Sequence, residues 1–424
     1  MNCRVQEWAS EIERLAEIAK TQPHAAYTAF TFGMKHRWNF IMRTVPNIGT
    51  PPETDDTETS PLQPLETAIR AKLIPALANE HVPDFLERAM IALPPRLGGM
   101  GIPNPVRTAD FEYQNSKKLT AKLTEFIVAQ DERGKLDQAE QLKIRLEISK
   151  ARETEQKKAY DHFKLNLPRQ NDGNNLIRRM EMAQEVGASN WLTALPIRAK
   201  GFSLNKQEFR DALALRYGWP VDGLPQRCQC GELFDINHAQ TCKTGGFICN
   251  RHDEVRDITA QMLREVCHDV RVEPPLLPAN GHTFEHSTAN TADDAKLDVS
   301  ARGFWRRGQR AFVDVRIFNP MARSYLDMSL STAHKQNEQE KKRRYDERVR
   351  EVEQARFTPL VSPHQGEWRH KPSHSMPTWH SSYQRRKSNP KAVSWHGCGA
   401  GCHFPCYDRP FCVSGAQDPS HRHM

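Results

Sequence analysis

The chain has 424 residues, enough for two or three domains, with 38% hydrophobic residues, mean hydropathy -0.72 and a formal net charge of +8. No apolar run is long enough to cross a membrane and none opens the chain as a leader would. Membrane partners and secretion are therefore not expected, and the ten Cys read as reduced thiols or metal ligands, not a disulfide framework. The basic excess, with pI near 8.9, permits nucleic-acid contact without requiring it.

Residues 1–20 place Val5, Trp8, Ile12, Leu15 and Ile18 on one helical stripe. A Pro/Thr/Asp-rich loop over 45–64 leads into helical patterns over 65–78 and 83–93. Pro94-Pro95-Arg96-Leu97-Gly98-Gly99-Met100-Gly101-Ile102 then breaks the helix. No Lys-Ser/Thr follows these glycines, so they read as a tight backbone corner and not as a phosphate cradle. From about 116 to 165 the sequence is strongly charged with helical spacing, which predicts a solvated connecting helix.

Cys228, Cys230, His238 and Cys242 fall within fifteen residues. Three thiolates and an imidazole suit a tetrahedral structural zinc with no open position, although the Cys-x-Cys start is tighter than usual. The alternative is four unconnected reduced side chains in a loop. Cys249 and His252 are spare ligand candidates.

Residues 251–267 form an amphipathic pattern with Val255, Ile258, Met262 and Val266 on one side. Val272-Glu273-Pro274-Pro275 reads as a short edge strand that its prolines end. Residues 296–302 and 310–318 alternate polar and apolar, the mark of half-buried strands, around a Gly303–Gln309 loop. With Arg306 central, Asp298 falls opposite Asp314. Leu297, Val299, Ala301, Val313, Val315 and Ile317 then share the buried face, with Asp298, Ser300, Asp314 and Arg316 on the other. Directly opposed carboxylates lie roughly 5 Å apart at Cβ and repel. A divalent cation between them would remove the repulsion. The competing reading has both acids facing solvent or paired with Arg306, Arg307 and Arg316. A basic helix over about 333–355 and a strand Phe357–Val361 complete an αβββαβ order, that of restriction-endonuclease-like nucleases.

These residues resemble the C-terminal part of non-LTR retrotransposon polyproteins, in which a reverse transcriptase is followed by a Cys-Cys-His-Cys knuckle and a restriction-like endonuclease. The resemblance rests on the knuckle, Gly245-Gly246, Arg251-His252-Asp253, Leu297-Asp298, Phe312-Val313-Asp314-Val315-Arg316 and Lys341 with Tyr345. Upstream it rests on Gln22-Pro23-His24-Ala25-Ala26-Tyr27, Leu62-Gln63-Pro64-Leu65-Glu66, the Leu97–Gly101 corner and Asn190–Pro196. It implies catalytic roles for Asp298, Asp314, Arg316 and Lys341, with Asp298 and Asp314 holding Mg²⁺ or Mn²⁺ and a basic residue stabilising developing charge. That residue would be Lys341 on the following helix, with Lys335 and Lys342 as neighbours, since Arg316 stands two positions past the second acid. Leu297 stands where a Pro usually precedes the first acid. No Tyr-x-Asp-Asp motif occurs, so polymerase activity is not expected.

The resulting expectation is an α+β chain: helical residues 1–115, charged connecting helices 116–185, a zinc-knuckle region 186–250, a restriction-like domain 251–361 and a disordered tail 362–424. It would be a retrotransposon-derived DNA- or RNA-binding fragment with a residual nickase, nuclear if functional and otherwise cytoplasmic. The alternative is a non-catalytic zinc-bearing nucleic-acid-binding or structural remnant. In the tail, Leu and Ile are absent after Leu360, while eight of the 18 His and three of the eight Trp accumulate. Such a chain cannot build a core around Cys398, Cys402, Cys406 and Cys412. It reads instead as an out-of-frame translation: back-translating Trp395–Cys412 from the third base of the Trp395 codon permits a leucine-rich helical segment like the one closing the family's proteins.

Overall fold

A computed structural model describes residues 2–49, 60–131, 134–167, 171–185, 187–221, 223–244 and 247–363. Residues 50–59 of the 45–64 loop, Gly245-Gly246 and everything from 364 onward, including nearly all of the expected tail and its Cys/His cluster, lie outside the described residues. The chain is α+β, a helical half followed by a small mixed sheet between helices.

The helical half begins with α1 (Asn2–Ala19), whose buried stripe is Val5, Trp8, Ile12, Leu15, Ala16 and Ala19. Ile18, expected on that stripe, is 51% exposed, because small alanines let the neighbouring helices close over positions 16 and 19 instead. Next come α2 (Pro23–Phe32), α3 (Asn39–Thr44), α4 (Gln63–Ala68) and α5 (Ile74–Leu77). Between α4 and α5 the chain widens into a π-turn, Ile69–Leu73. The turn accommodates Pro75, which has no N–H for a normal helical bond. Asp84 and Glu87 form a reciprocal capping box that starts α6 (Phe85–Ala92). Ile12, Phe30, Leu65, Ile69, Leu73 and Phe209 share its apolar core.

One charged pair sits inside that core. The Arg88 guanidinium meets the Glu66 carboxylate in two bonds, at 2.7 and 2.8 Å, and also donates to the Ile102 and Pro103 carbonyls. The glycine corner follows. Gly98 has φ of 89°, and a Cβ on Gly99 would lie 2.0 Å from the Leu93 carbonyl oxygen. Three of its buried carbonyls are claimed: Gly98 O by Arg216 and the Tyr217 hydroxyl, Gly99 O by Arg216, and Met100 O by the Tyr27 hydroxyl at 2.6 Å. The corner is thus a structural joint. Gly99→Ala should cost on the order of 3 kcal/mol, since backbone must move to admit one methyl. Chemical denaturation checks this, and a loss below about 0.5 kcal/mol would mean the joint has room.

The expected single connecting helix is two, α7 (Pro105–Val128) and α8 (Gln138–Asn166). Asp137 caps the second by accepting from Ala139 N–H, which is where the first pattern stops. The pair is not merely solvated: Arg152 binds Glu112 across it and Phe163 enters the helical core. Then come α9 (Asn171–Ala183), α10 (Asn190–Thr193) and α11 (Lys206–Tyr217), the last opened by an Asn205/Glu208 capping box and closed by Gly218 at φ of 75°. A short α12 (Ile236–Thr241) precedes α13 (Phe247–Val266).

The sheet runs β1 (His268–Val272), β2 (Val299–Arg302), β3 (Arg310–Phe318), β4 (Arg356–Pro363), in that spatial order. The first three are antiparallel neighbours and β4 lies parallel to β3. Parallel pairing demands a crossover, supplied by α14 (Arg323–Leu326) and α15 (Leu330–Glu351). Five details differ from expectation. The edge strand lies earlier, because Pro274 cannot donate to a ladder. On α13 the buried positions are Val255, Thr259, Ala260 and Leu263, leaving Ile258 and Met262 half-buried. The second sheet face is also covered, by α15, so Phe312, Ser300 and Asp314 are buried. Leu297 packs there with Phe312, Tyr345 and Val349, not with Val299. Finally, β4 includes Ser362 and Pro363, so the tail cannot begin at 362.

Candidate functional site

The knuckle is built by a turn and one helical turn. Cys228 N–H donates to Glu232 O and Gly231 N–H to Cys228 O, at 2.9 Å each, with Gly231 at φ of 90° reversing the chain. Asp235 then accepts from His238 N–H and starts α12. His238 and Cys242 are four apart, hence on one side of that turn. Cys228, Cys230, His238 and Cys242 bring their ligand atoms within 4.8 Å of one another. The Cys228 Sγ to Cys242 Sγ distance is 3.7 Å. Zinc–sulfur bonds of about 2.3 Å in a tetrahedron require an edge of roughly 3.8 Å. The donor set fits a structural zinc and offers it no open position. Of the spare candidates, Cys249 stands exposed outside the cluster and His252 serves elsewhere.

Purified chain should therefore carry one zinc, and Cys242→Ser should release it while the helical half keeps its fold. Elemental analysis checks this. A zinc-free protein, or one whose zinc content ignores the substitution, would remove the metal centre.

The second cluster lies at the sheet. The β2–β3 ladder pairs Val299 with Val313 and Ser300 with Phe312, and Asp298 sits one residue beyond it. There its Oδ2 accepts from the Val315 N–H at 2.6 Å, and His252 Nε2 on α13 approaches the same oxygen to 3.2 Å. The hydrogen bond to Asp298 raises the His252 imidazole above its ordinary value, against the effect of burial.

Asp314 is 5% exposed on β3. Burial raises its carboxyl above the usual range, with Lys341 opposing and the Asp298 charge adding to the rise. Lys341 comes from α15, where Asn337, Lys341 and Tyr345 recur at four-residue spacing and so turn one side to the sheet. Its Nζ lies 2.5 Å from Asp314 Oδ2 as an ion pair, yet that buried oxygen has no aligned hydrogen-bond donor. No family model and no curated protein matches this chain.

Of the residues singled out in the sequence, the fold brings Asp298, Asp314 and Lys341 together. Arg316 goes elsewhere: its Nε donates to Asn337 Oδ1 at 3.2 Å and its NH2 lies 3.7 Å from Glu340. Both contacts brace α15, and neither is to Asp298 or Asp314. His252 was missed as a partner of Asp298. The available signal was its place on the helix leading into the sheet, beside Arg251, whose guanidinium donates to Gln240 O of the knuckle helix.

Proposed function

We propose that residues 251–363 cleave one strand of DNA with a divalent metal, on the restriction-like plan, and that the chain descends from a non-LTR retrotransposon polyprotein. The observation carrying this is the delivery of Lys341, from the crossover helix, to a buried Asp314 that feels the charge of Asp298. The order α13, β1, β2, β3, α15, β4 with β4 parallel to β3 supports it.

The donor set suits a hard cation. Asp314 presents a buried carboxylate beside a second acid, Asp298, with the Lys341 ammonium 2.5 Å from its Oδ2, and carboxylate oxygens of this kind are what hard cations take. Bound there, Mg²⁺ or Mn²⁺ would supply Lewis-acid polarisation of a phosphodiester. Lys341 would stand beside the phosphate and stabilise the negative charge that grows on its oxygens. His252 and the Val315 N–H fix the orientation of Asp298. Asn337 and Glu340 hold Arg316 against α15, keeping the helix in register with β3.

A second reading, a zinc-bearing nucleic-acid binder without catalysis, is favoured by one fact: Asp298 Oδ2 already faces two nitrogen groups. Conversion of supercoiled plasmid to the nicked form, with Mg²⁺, Mn²⁺ or chelator, separates the two. Nicking that needs metal and Asp314 supports the first. Binding without nicking in either metal supports the second.

A further inference from the structure

Arginines collect toward the turn end of the β2–β3 hairpin: Arg302 on β2 and Arg310 on β3 close the ladder, Arg271 on β1 stands opposite Ser300 two residues back, and Arg356 starts β4 on the other face of the sheet. Arg302 and Arg310 are direct cross-strand partners, and Arg356 starts β4 beside Ala311. Arg306 and Arg307 add two exposed guanidinium groups in the loop itself. The acid among them is Asp269, which pairs with Arg271 at 2.9 Å, with Arg302 at 3.5 Å and with Arg310. Six arginines against this one carboxylate leave five positive charges over one end of a four-stranded sheet.

Two of these arginines are anchored. Arg310 also donates to Ser300 Oγ at 2.9 Å, and Ser300 is fully buried. Arg356 lies 4.1 Å over the Trp305 ring, whose indole N–H donates to Thr358 Oγ1 at 2.9 Å. Like charges packed this closely repel, and side chains held in place cannot swing apart to relieve it. A polyanion with closely spaced, fixed charges removes the repulsion without reordering the arginines.

We infer that this arginine row is a docking surface for the phosphate backbone of duplex DNA. Arg271, Arg302 and Arg310, gathered at Asp269 from three strands about 4.8 Å apart, span roughly 10 Å. A duplex presents one charge per about 1.7 Å of axis, so it offers that span about six phosphate charges. Arg310 lies four residues from Asp314 along β3, roughly 13 Å, which is about four base pairs. The row thus reads backbone, not sequence. The choice of DNA as the partner rests on the cleavage reading; the charge array does not.

The test is fluorescence anisotropy of a labelled 20-base-pair duplex against full-length chain, over several salt concentrations and without divalent metal. Arg302→Gln, Arg306→Gln and Arg307→Gln together remove three charges without touching the Arg310 and Arg356 anchors. The combined variant should weaken binding about tenfold and lower the salt slope by about 2 to 3, with zinc content unchanged. Asp269→Asn should tighten binding. An unchanged affinity and slope would overturn the proposal. So would an equal loss from the charge-matched control Lys117→Gln/Lys118→Gln/Lys122→Gln on α7, which would make net charge the cause. Binding to phosphatidylserine vesicles with the same arginine dependence and no response to duplex would overturn it too. A chain that binds through the row but never nicks plasmid would defeat the cleavage reading and leave the row standing.

Discussion

Asp314→Asn should lower metal-dependent plasmid nicking by roughly 10³-fold, and Lys341→Met by roughly 10²-fold or more. Asparagine keeps the shape of the aspartate and removes the oxygen charge that a cation needs. The variant should stay folded, and the sign of the Asp314 shift says why. A carboxyl raised on folding opposes the folded state once pH exceeds its unfolded value, and the opposition is absent below it. At neutral pH the substitution removes that opposition. Lys341, with its side chain 17% exposed, can turn its ammonium to water along its four-carbon stem. Nicking that survives Asp314→Asn at more than about a tenth of the parent rate would place the chemistry elsewhere.

Removing Arg88 should be the most damaging single change in the helical half. Arg88→Ala leaves the Glu66 carboxylate buried without its partner, and strips a donor from the Ile102 and Pro103 carbonyls as well. Loss of one partner of a buried pair costs about 3–5 kcal/mol. Replacing both, as Glu66→Leu with Arg88→Met, should cost less than either truncation, because no charge is then stranded. Denaturant titrations of the three variants decide it. A double variant worse than Arg88→Ala would mean that the carbonyl contacts, and not the charge, dominate.

The strands of the sheet were legible because their alternation is local. β3 over Arg310–Phe318 and its pairing with β2 follow from period two and a turn centred near Arg306. The knuckle was legible for the same reason, since all four ligands lie in one short segment. What stayed hidden depends on distant partners. Alternation cannot say that the face of Ser300 and Asp314 is covered, because the cover arrives with α15 along the chain. Charge spacing cannot tell one long helix from a hairpin whose second limb sends Phe163 into the core. Nor could it assign Arg316 to Asn337 in place of the acids, since that preference depends on how far α15 stands from β3. Lys341 was named from resemblance; its arrival at Asp314 is a matter of helix phase.

Adjacent arginines on α9 look opposite ways. Arg178 donates to the Tyr325, Leu326 and Met328 carbonyls in the turn before α15, while Arg179 donates to Leu215 of α11. Met182, one turn on, lies among Phe318, Leu330 and Val361. Two hydrophobic cores in one chain ordinarily melt in separate steps. Here a single helix is a shared boundary, and fraying it would strand polar groups on both sides at once. The free-energy cost of opening either half is thereby coupled to the other, and the chain gains one cooperative transition from two cores.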